Sequence, residues 1–242
     1  MAKTVLIDCF PESARRYREC AVVAIDVIRA TTTAITAAAA GWRCFPVPTL
    51  EAAQETADRM RDPLLCGEVA GIMPPGFHLN NSPAALVGRR DVHRPLILLS
   101  SSGTRLIHEA RYCDELYLAC FRNYRAVARH LAAGHERVAL IGAGSLRQFR
   151  EEDQMCCAWI ADLLLASGFE PENSKTMGIV ERWRGVPASA CAVFQSADYL
   201  RRSGQTRDLD FTLSHVDDLD ASYTVEDGEV VLSGELVFNA AM

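Results

Sequence analysis

Several signatures of common protein classes are missing from this sequence. No apolar run reaches the roughly 18 residues of a membrane-spanning helix, and the first residues lack the pattern of a secretory signal peptide. The nine cysteines are never spaced as CxxC, and the six histidines form neither HExxH nor a helical i, i+4 pair. These absences argue against a disulfide framework, a zinc site and a membrane partner. We expect a cytoplasmic protein with reduced cysteines.

An excess of basic residues is also missing. Lys and Arg number 25 against 31 Asp and Glu, so the formal net charge is −6. A nucleic acid would find no basic surface here, and an anionic ligand would have to be held by local groups. The GxGxxG, GxxxxGK[ST] and GxSxG motifs are absent as well. Dinucleotide binding, a P-loop and a nucleophile elbow are therefore excluded as explanations.

What the sequence does contain is a strand, turn and helix pattern over Ala21–Gly41, after a first predicted strand at Lys3–Asp8. The apolar run Ala21–Ile25 fits a strand buried on both faces, as in a parallel sheet. Asp26 and Arg29 would lie at its carboxyl end. The hydroxyls of residues 31–33 are expected to cap a helix over Thr32–Ala40, where free N–H groups and the helix dipole favour an anion.

This pattern occurs four times, which indicates an α/β protein. We predict a layered α/β/α fold with a mostly parallel or mixed sheet. If the strands are parallel, the loops that follow them gather at one edge of the sheet. The three later strands are predicted to end near Ser100, Cys120 and Ile141, and their helices to begin near Thr104, after Asn123 and near Glu151.

The hydrophobic content of 49% is enough for a sizeable core, and we predict a single α/β domain over residues 1–242. Two lobes, about 1–90 and 91–205, are the alternative division. The segment 206–242 carries an Asp227-Gly228 turn that predicts a C-terminal β-hairpin, at an edge of the sheet or as a cap. The oligomeric state is left open, with a homo-oligomer as one alternative.

The loops that follow the strands combine arginines, hydroxyl groups and acids. Arginines suit phosphate or carboxylate oxygens, whereas acids beside them would repel such a ligand unless they hold a divalent cation such as Mg²⁺. Each residue taken singly also has a structural interpretation, since acids in a first helical turn complement the dipole. The arginines are Arg29, Arg105, Arg122, Arg147 and Arg150, and the acids are Asp26, Glu68, Glu152 and Asp153.

A set of motifs follows in order along the chain. The motifs are DVIRATTTAITAAAAG from Asp26, Gly67-Glu68, GFHLNNSP from Gly76, SSSGTR from Ser100, Arg122-Asn123, GAG from Gly142 and EEDQMC from Glu151. Together they resemble the 2-phosphosulfolactate phosphatase family, and the resemblance extends from about Val5 to the segment Asp208–Phe211. It implies an α/β fold distinct from the common phosphatase superfamilies.

The resemblance also implies a chemistry, that of a Mg²⁺-dependent phosphatase in the pathway to coenzyme M. Its substrate would be a small anionic phosphate ester of a 2-hydroxy carboxylic acid, with (2R)-2-phospho-3-sulfolactate expected. Asp26, Glu68 and Asp153 are predicted to bind Mg²⁺ and, with Arg29, to be catalytic. The predicted substrate-binding residues are Thr31, Thr32, Asn81, Ser82, Ser102, Gly103, Thr104, Asn123 and Arg150.

Two alternatives stay open at this point. One is a phosphatase for a different 2-phospho-hydroxy acid, such as a phospholactate or a phosphoglycolate type of ester. The other is a non-catalytic sensor of a phosphorylated metabolite. The acids favour the enzyme, because a sensor of anions gains nothing from Asp26 and Glu68. The attacking group, a water molecule or a side chain, is also left open.

Overall fold

The computed structural model describes residues 2–145 and 147–234 and shows one sheet of ten strands. Its order is β4-β5-β3-β10-β9-β6-β2-β7-β1-β8. The strands are β1 (Thr4–Cys9), β2 (Ala21–Ile25), β3 (Cys44–Val47), β4 (Leu64–Gly67), β5 (Leu96–Leu99), β6 (Glu115–Ala119), β7 (Arg137–Gly142), β8 (Glu170–Pro171), β9 (Tyr223–Glu226) and β10 (Glu229–Leu232).

Helices lie on both sides of this sheet. The α-helices are α1 (Ala30–Ala39), α2 (Leu50–Ala57), α3 (Pro83–Leu86), α4 (Gly103–Glu109), α5 (Tyr124–Gly134), α6 (Glu151–Ala166), α7 (Ser174–Trp183), α8 (Gln195–Arg202) and α9 (Thr206–Ser214), and 3₁₀ turns cover Pro11–Arg16 and Ala188–Val193. The four predicted units are present as β2-α1, β5-α4, β6-α5 and β7-α6. In the described residues, no helix combines the length and the apolar character that crossing a bilayer requires.

Burial on both faces explains why the central strands lack an alternating pattern. In β2, Ala21, Val23 and Ile25 belong to the core shared with α5, α6 and α7, whereas Val22 and Ala24 belong to the core on the opposite face, with α1 and α4. A strand covered by helices on both sides has no solvent-facing position that would call for a polar residue. The predicted α/β/α layering with a mostly parallel, mixed sheet is confirmed.

The C-terminal hairpin β9-β10 lies in the middle of the sheet. β10 pairs with β3 and β9 pairs with β6, both antiparallel, so the hairpin joins two groups of parallel strands. The predicted edge or cap position is therefore wrong. Nothing in the hairpin's own sequence specifies its neighbours, since two open strand edges elsewhere in the chain decide where it inserts. Residues 235–242 of the predicted hairpin segment lie outside the described residues.

The insertion of the hairpin also sets the direction of the two groups. Three successive pairings, β3 with β10, β10 with β9 and β9 with β6, are all antiparallel. The group β3-β5-β4 therefore runs opposite to the group that contains β6, β2 and β7. The sheet does not present one common carboxyl edge, and packing must bring the loops together.

Helix α1 contacts both groups of strands. It packs against α3 and α4 and against strands β3, β5, β6 and β10. Every residue from Ala30 to Ala37 is buried, and most of them are alanine or threonine. Small side chains let the neighbouring elements approach closely from all sides, which explains the alanine-rich composition of this segment.

The central hairpin predicts a large difference between two residues of β10. Val230 is 3% exposed and Leu232 is 64% exposed. Val230→Ala should lower the free energy of unfolding by about 2 kcal/mol, because it opens a cavity where the two groups meet. Leu232→Ala is the matched control and should change it by less than about 0.5 kcal/mol. Urea denaturation measures both, and equal small effects would contradict the central role of the hairpin.

Candidate active site

Asp26 is the first residue after β2, and its side chain is buried. The carboxylate oxygen Oδ1 accepts a hydrogen bond from the Ala30 N–H at 3.2 Å, and the Asp26 N–H donates to the Thr31 hydroxyl at 2.9 Å. The turn between them contains a cis peptide bond from Ile28 to Arg29. The start of α1 therefore orients the Asp26 carboxylate.

Gly103, the first residue of α4, lies directly against Asp26. A Cβ atom added to Gly103 would be 2.3 Å from Asp26 Oδ2 and 2.6 Å from the Ala30 Cβ. Only a glycine allows this approach. The loop after β5 thus meets the loop after β2, although the two strands belong to groups of opposite direction.

Asp153, in the first turn of α6, connects two further loops. Its Oδ1 accepts from the Val27 N–H at 2.8 Å and its Oδ2 accepts from the Gly144 N–H at 3.1 Å. Both oxygens therefore hold backbone that follows β2 and β7. This geometry supports a positioning role for Asp153, and its predicted role as a direct metal ligand stays a prediction.

Glu152, the neighbour of Asp153, is the most unusual acid in the structure. Its exposed fraction is 1%, and within the residues described neither of its carboxylate oxygens has a hydrogen-bond partner. A buried carboxylate without a partner is costly unless it is protonated or meets a cation. Sequence reasoning places Glu152 among the acids that could hold a cation, with a helix-dipole role as the alternative, but does not select it as a metal ligand. Its signal was the run of three acids at the start of α6.

Glu68 links the loops that follow β4 and β5. Its Oε1 accepts from the Ser101 N–H at 2.7 Å, and its Oε2 accepts from the Ser101 hydroxyl at 3.0 Å and from the Gly71 N–H. The side chain is buried. The Glu68 carboxylate therefore organises two loops close to Asp26.

Burial of these acids changes their titration. Burial, together with the nearby charges of Glu68 and Glu152, raises the pKa of Asp26 to about 7, although the Ala30 N–H and the charge of Arg29 oppose the shift. Burial also raises the pKa of Glu152, against opposing contributions from Ser196 and Arg150. Burial together with Asp26 and Glu152 holds the pKa of Asp153 well above its usual range. The four acids therefore form one electrostatic cluster, called the acid cluster below.

Arg29 adjoins the acid cluster and is itself paired. Its Nη1 donates to Asp208 Oδ2 at 2.6 Å and to the Gln205 side chain, and both charged side chains are 4% exposed. Asp208 Oδ1 accepts from the Ser82 hydroxyl. Asp208 thus connects the two predicted site residues Arg29 and Ser82. Sequence reasoning did not select Asp208, and the only indication of its importance was that the family resemblance extends as far as Asp208–Phe211.

Four of the predicted substrate-binding groups are occupied by backbone. The Thr31 hydroxyl donates to carbonyls at the ends of β2 and β6, and no threonine side chain caps α1, so the predicted N-cap is wrong. The N–H groups of Ala30 and Thr31 also donate within the protein, which leaves little of the expected anion site. The other three groups are Thr32 Oγ1 to Val27 O, Thr104 Oγ1 to Ser100 O and Asn123 Nδ2 to Leu118 O.

The remaining predicted residues keep polar atoms available. Ser102 begins α4 without a side-chain capping bond, and the buried Asn81 Oδ1 has no hydrogen-bond partner within the described chain. Arg150 precedes α6 and donates to the Gln195 side chain. Arg122, by contrast, is turned away to Asp218, at 2.7 Å. Substrate binding by Ser102, Asn81 and Arg150 stays a prediction.

The donor set fits Mg²⁺ held by few protein ligands. Among the described residues, no three His, Cys, Asp or Glu side chains form a ready-made cage for a metal ion. Mg²⁺ commonly uses only one or two carboxylates and completes its shell with water and substrate oxygens. The partnerless oxygens of Glu152, beside the buried Asp26, supply such hard donors.

The contact between Gly103 and Asp26 gives a first prediction for the site. Gly103→Ala should lower the free energy of unfolding by about 1–3 kcal/mol, because the new methyl group overlaps the Asp26 carboxylate. Gly178→Ala in α7 is the matched control, since nothing lies within 4 Å of its added Cβ. That change should stabilise the helix by about 0.5–1 kcal/mol. Thermal unfolding of both variants measures the contrast, and a stabilising Gly103→Ala would refute the close approach.

Raised pKa values give a second prediction, on the metal-free protein in EDTA. Between the unfolded pKa of about 4 and the native pKa of about 7, the native state keeps a proton on Asp26 that the unfolded chain has released, so stability falls as pH rises across this window and levels off above it. Asp26 alone accounts for up to about 4 kcal/mol of this loss, which is complete by about pH 8. Asp26→Asn should therefore flatten the decline of melting temperature between about pH 4 and about pH 7 and leave the variant above the wild type at higher pH. Parallel curves for the two proteins would contradict a raised pKa.

A family model and several known proteins are similar to this chain. The family model of 2-phosphosulpholactate phosphatase matches residues 9–225. A relative from Symbiobacterium thermophilum is 37% identical over 165 residues, 66% of this chain and 70% of its own. Relatives from Deinococcus radiodurans (34% over 210 residues) and Thermus thermophilus (32% over 212 residues) cover 85% of this chain and 86% and 87% of their own.

Each of these three relatives is named "Probable 2-phosphosulfolactate phosphatase". The model match includes Asp26, Glu152 and Asp208, so the acid cluster and the Arg29 pair both lie inside the matched region. The prediction drawn from the motifs is confirmed: this chain belongs to the 2-phosphosulfolactate phosphatase family, a family of phosphoric monoester hydrolases.

Proposed function

We propose that the protein is a Mg²⁺-dependent phosphatase that hydrolyses the phosphate ester of a small 2-hydroxy carboxylic acid. The proposed substrate is (2R)-2-phospho-3-sulfolactate, and the products are 3-sulfolactate and phosphate. Membership of the family and the names of the relatives support the substrate. The acid cluster beside a buried arginine supports the chemistry.

The observation that carries the proposal is the partnerless carboxylate of Glu152 next to Asp26. Burial penalises the charged form of both acids, and each charge raises the penalty on the other. Protonation or a cation can relieve this repulsion. Asp208 already neutralises the charge of Arg29, and Arg150 offsets only part of the effect of burial on Glu152. A divalent cation would complete the charge balance of the acid cluster.

Asp26 and Glu152 are the residues that would hold Mg²⁺, and Glu68 and Asp153 would hold the loops around them. This assignment replaces Asp153 with Glu152 as the second direct ligand, because both Asp153 oxygens already accept backbone hydrogen bonds. When bound, Mg²⁺ would neutralise phosphoryl oxygens and stabilise the charge that develops on them.

Arg29 would contact the anionic part of the substrate. Its Nη1 is used by Asp208 and Gln205, whereas its Nε and Nη2 make no hydrogen bond within the part of the chain described. Guanidinium groups bind phosphate and carboxylate oxygens through two parallel hydrogen bonds. In a buried site such bonds are strong, and they stabilise the transition state where negative charge spreads over the phosphoryl group.

The reaction breaks the bond between phosphorus and the ester oxygen. A water molecule attacks phosphorus in line with that oxygen, its oxygen stays on the released phosphate, and a proton goes to the ester oxygen, which leaves as the hydroxyl of the product acid. If a side chain attacks first, the ester oxygen leaves in that step and water then hydrolyses the phosphoenzyme to release phosphate and the free side chain. The nine unpaired cysteines are suited to a reducing compartment, which supports placing the enzyme in the cytoplasm.

Two adjacent glutamates allow a matched test of the metal site. Glu152→Gln should reduce Mg²⁺-dependent phosphate release by about 100-fold and raise the Mg²⁺ concentration needed for half-maximal rate, because a buried ligand loses its charge. Glu151→Gln removes an ion pair with Arg182 (3.0 Å) at the surface and should stay within about twofold of the wild type.

The assay measures phosphate released from (2R)-2-phospho-3-sulfolactate, 2-phospholactate and 2-phosphoglycolate, with MgCl₂ or with EDTA. The proposal predicts turnover that EDTA abolishes and that is fastest with the sulfonated ester. Binding of these esters without turnover would favour a metabolite sensor. Equal rates in EDTA and MgCl₂ would refute the role of the metal.

A further inference from the structure

We propose that Asp208 is a positioning residue that aims the guanidinium of Arg29 at the phosphorylated substrate. This inference rests on the proposed function and extends it to α9, a helix that contributes nothing to the acid cluster. Asp208 lies 179 residues after Arg29 in the chain. The contact between them is therefore made only by the tertiary structure.

The first support is how completely Asp208 is held. Its Oδ2 accepts from Arg29 Nη1 at 2.6 Å, and its Oδ1 accepts from the Ser82 hydroxyl and from the Ala84 N–H at 3.2 Å. The Asp208 side chain is buried, so water does not compete for these oxygens. A carboxylate with both oxygens engaged has a single orientation, and it can transmit that orientation to the arginine.

The second support is which part of Arg29 remains free. A guanidinium has five N–H donors in a fixed plane. Asp208 and Gln205 take Nη1, and no described residue accepts from Nε or Nη2. Because the guanidinium is planar, the bonds from Nη1 also fix the direction of the Nε and Nη2 N–H groups. Arg29 lies in the turn between Asp26 and α1, so its guanidinium belongs to the same turn of chain as the acid cluster.

A purely structural anchor would be a weaker explanation of the pair. Both charged side chains are 4% exposed, and buried ion pairs often contribute no more stability than apolar residues of the same volume. An anchor between α9 and α3 would need only the bonds from Ser82 and Ala84. The charge of Asp208 becomes useful when Arg29 must hold one direction.

A double-mutant cycle tests this proposal through the dependence of one residue on the other. Asp208→Asn should lower kcat/KM for the phosphate ester by about 10- to 100-fold in the wild-type background. In the Arg29→Ala background the same change should alter kcat/KM by less than about twofold, because no arginine remains to be aimed. Equal losses in both backgrounds would overturn the proposal in favour of a structural role.

Chemical rescue gives a second measurement that a structural role would not move. Guanidinium ion at roughly millimolar concentration should restore part of the activity of Arg29→Ala, since the Asp208 carboxylate can still bind a guanidinium in the place that the Arg29 side chain leaves. The charge-balanced double variant Arg29→Ala/Asp208→Asn should not be rescued. This comparison remains informative if Asp208→Asn alone fails to fold, because the double variant leaves no unpaired buried charge. Equal rescue of both proteins would overturn the proposal.

The matched control is another arginine and aspartate pair in a neighbouring loop. Arg122 Nη2 lies 2.7 Å from Asp218 Oδ2, and the two side chains are 11% and 32% exposed. Asp218→Asn breaks that pair and should leave kcat/KM within about twofold of the wild type. A loss as large as that of Asp208→Asn would mean that any broken ion pair suffices and would overturn the proposal.

Failure of the proposed function can be separated from failure of this inference. If the wild type releases no phosphate from any ester, the proposed function fails, and binding of inorganic phosphate by calorimetry replaces turnover as the measurement. Phosphate affinity should then show the same pattern, with a loss on Asp208→Asn only when Arg29 is present. Affinity that is independent of Asp208 would overturn the positioning role.

Discussion

Buried negative charge around Asp26 is the constraint on which the rest of the structure depends. Asp26, Glu152 and Asp153 are enclosed at the end of β2, and their burial raises the pKa of each. A fold retains such a cluster only if neighbouring groups stabilise it. Backbone N–H groups serve Asp153, and the start of α1 serves Asp26. Glu152 has no hydrogen-bond partner of ordinary geometry in the described chain, and Ser196 and Arg150 only partly offset the effect of burial on its pKa.

The cluster forms because the packing overcomes an unfavourable sheet topology. The hairpin β9-β10 reverses the direction of the group β3-β5-β4, so the ends of β2 and β5 do not share one edge. The small residues of α1 and the missing side chain of Gly103 bring the two loops into contact. The sequence predicted that these loops meet because all the strands were expected to be parallel. Asp26 and Gly103 do meet, but packing brings them together and a common strand direction does not.

The predicted site residues separate into two kinds for a physical reason. Thr31, Thr32 and Asn123 are polar residues in motifs, but their hydrogen bonds go to backbone carbonyls that the strands leave open. A motif identifies a residue type at a position, but it does not show whether that side chain bonds to the backbone or faces a substrate. Sequence reasoning counted Glu152 among the acids without choosing it as a ligand and did not select Asp208, because acids in a first helical turn have an ordinary structural explanation. Burial, which only the fold defines, distinguishes them.

The sequence by itself determined the layered α/β class, the four strand and helix units and the family, because hydrophobic periodicity and motif order are local along the chain. The tertiary structure alone decided the central place of the hairpin, the contact of Gly103 with Asp26 and the pairing of Arg29 with Asp208. These features join residues far apart in the chain. Their energies depend on burial and distance, which no local pattern encodes.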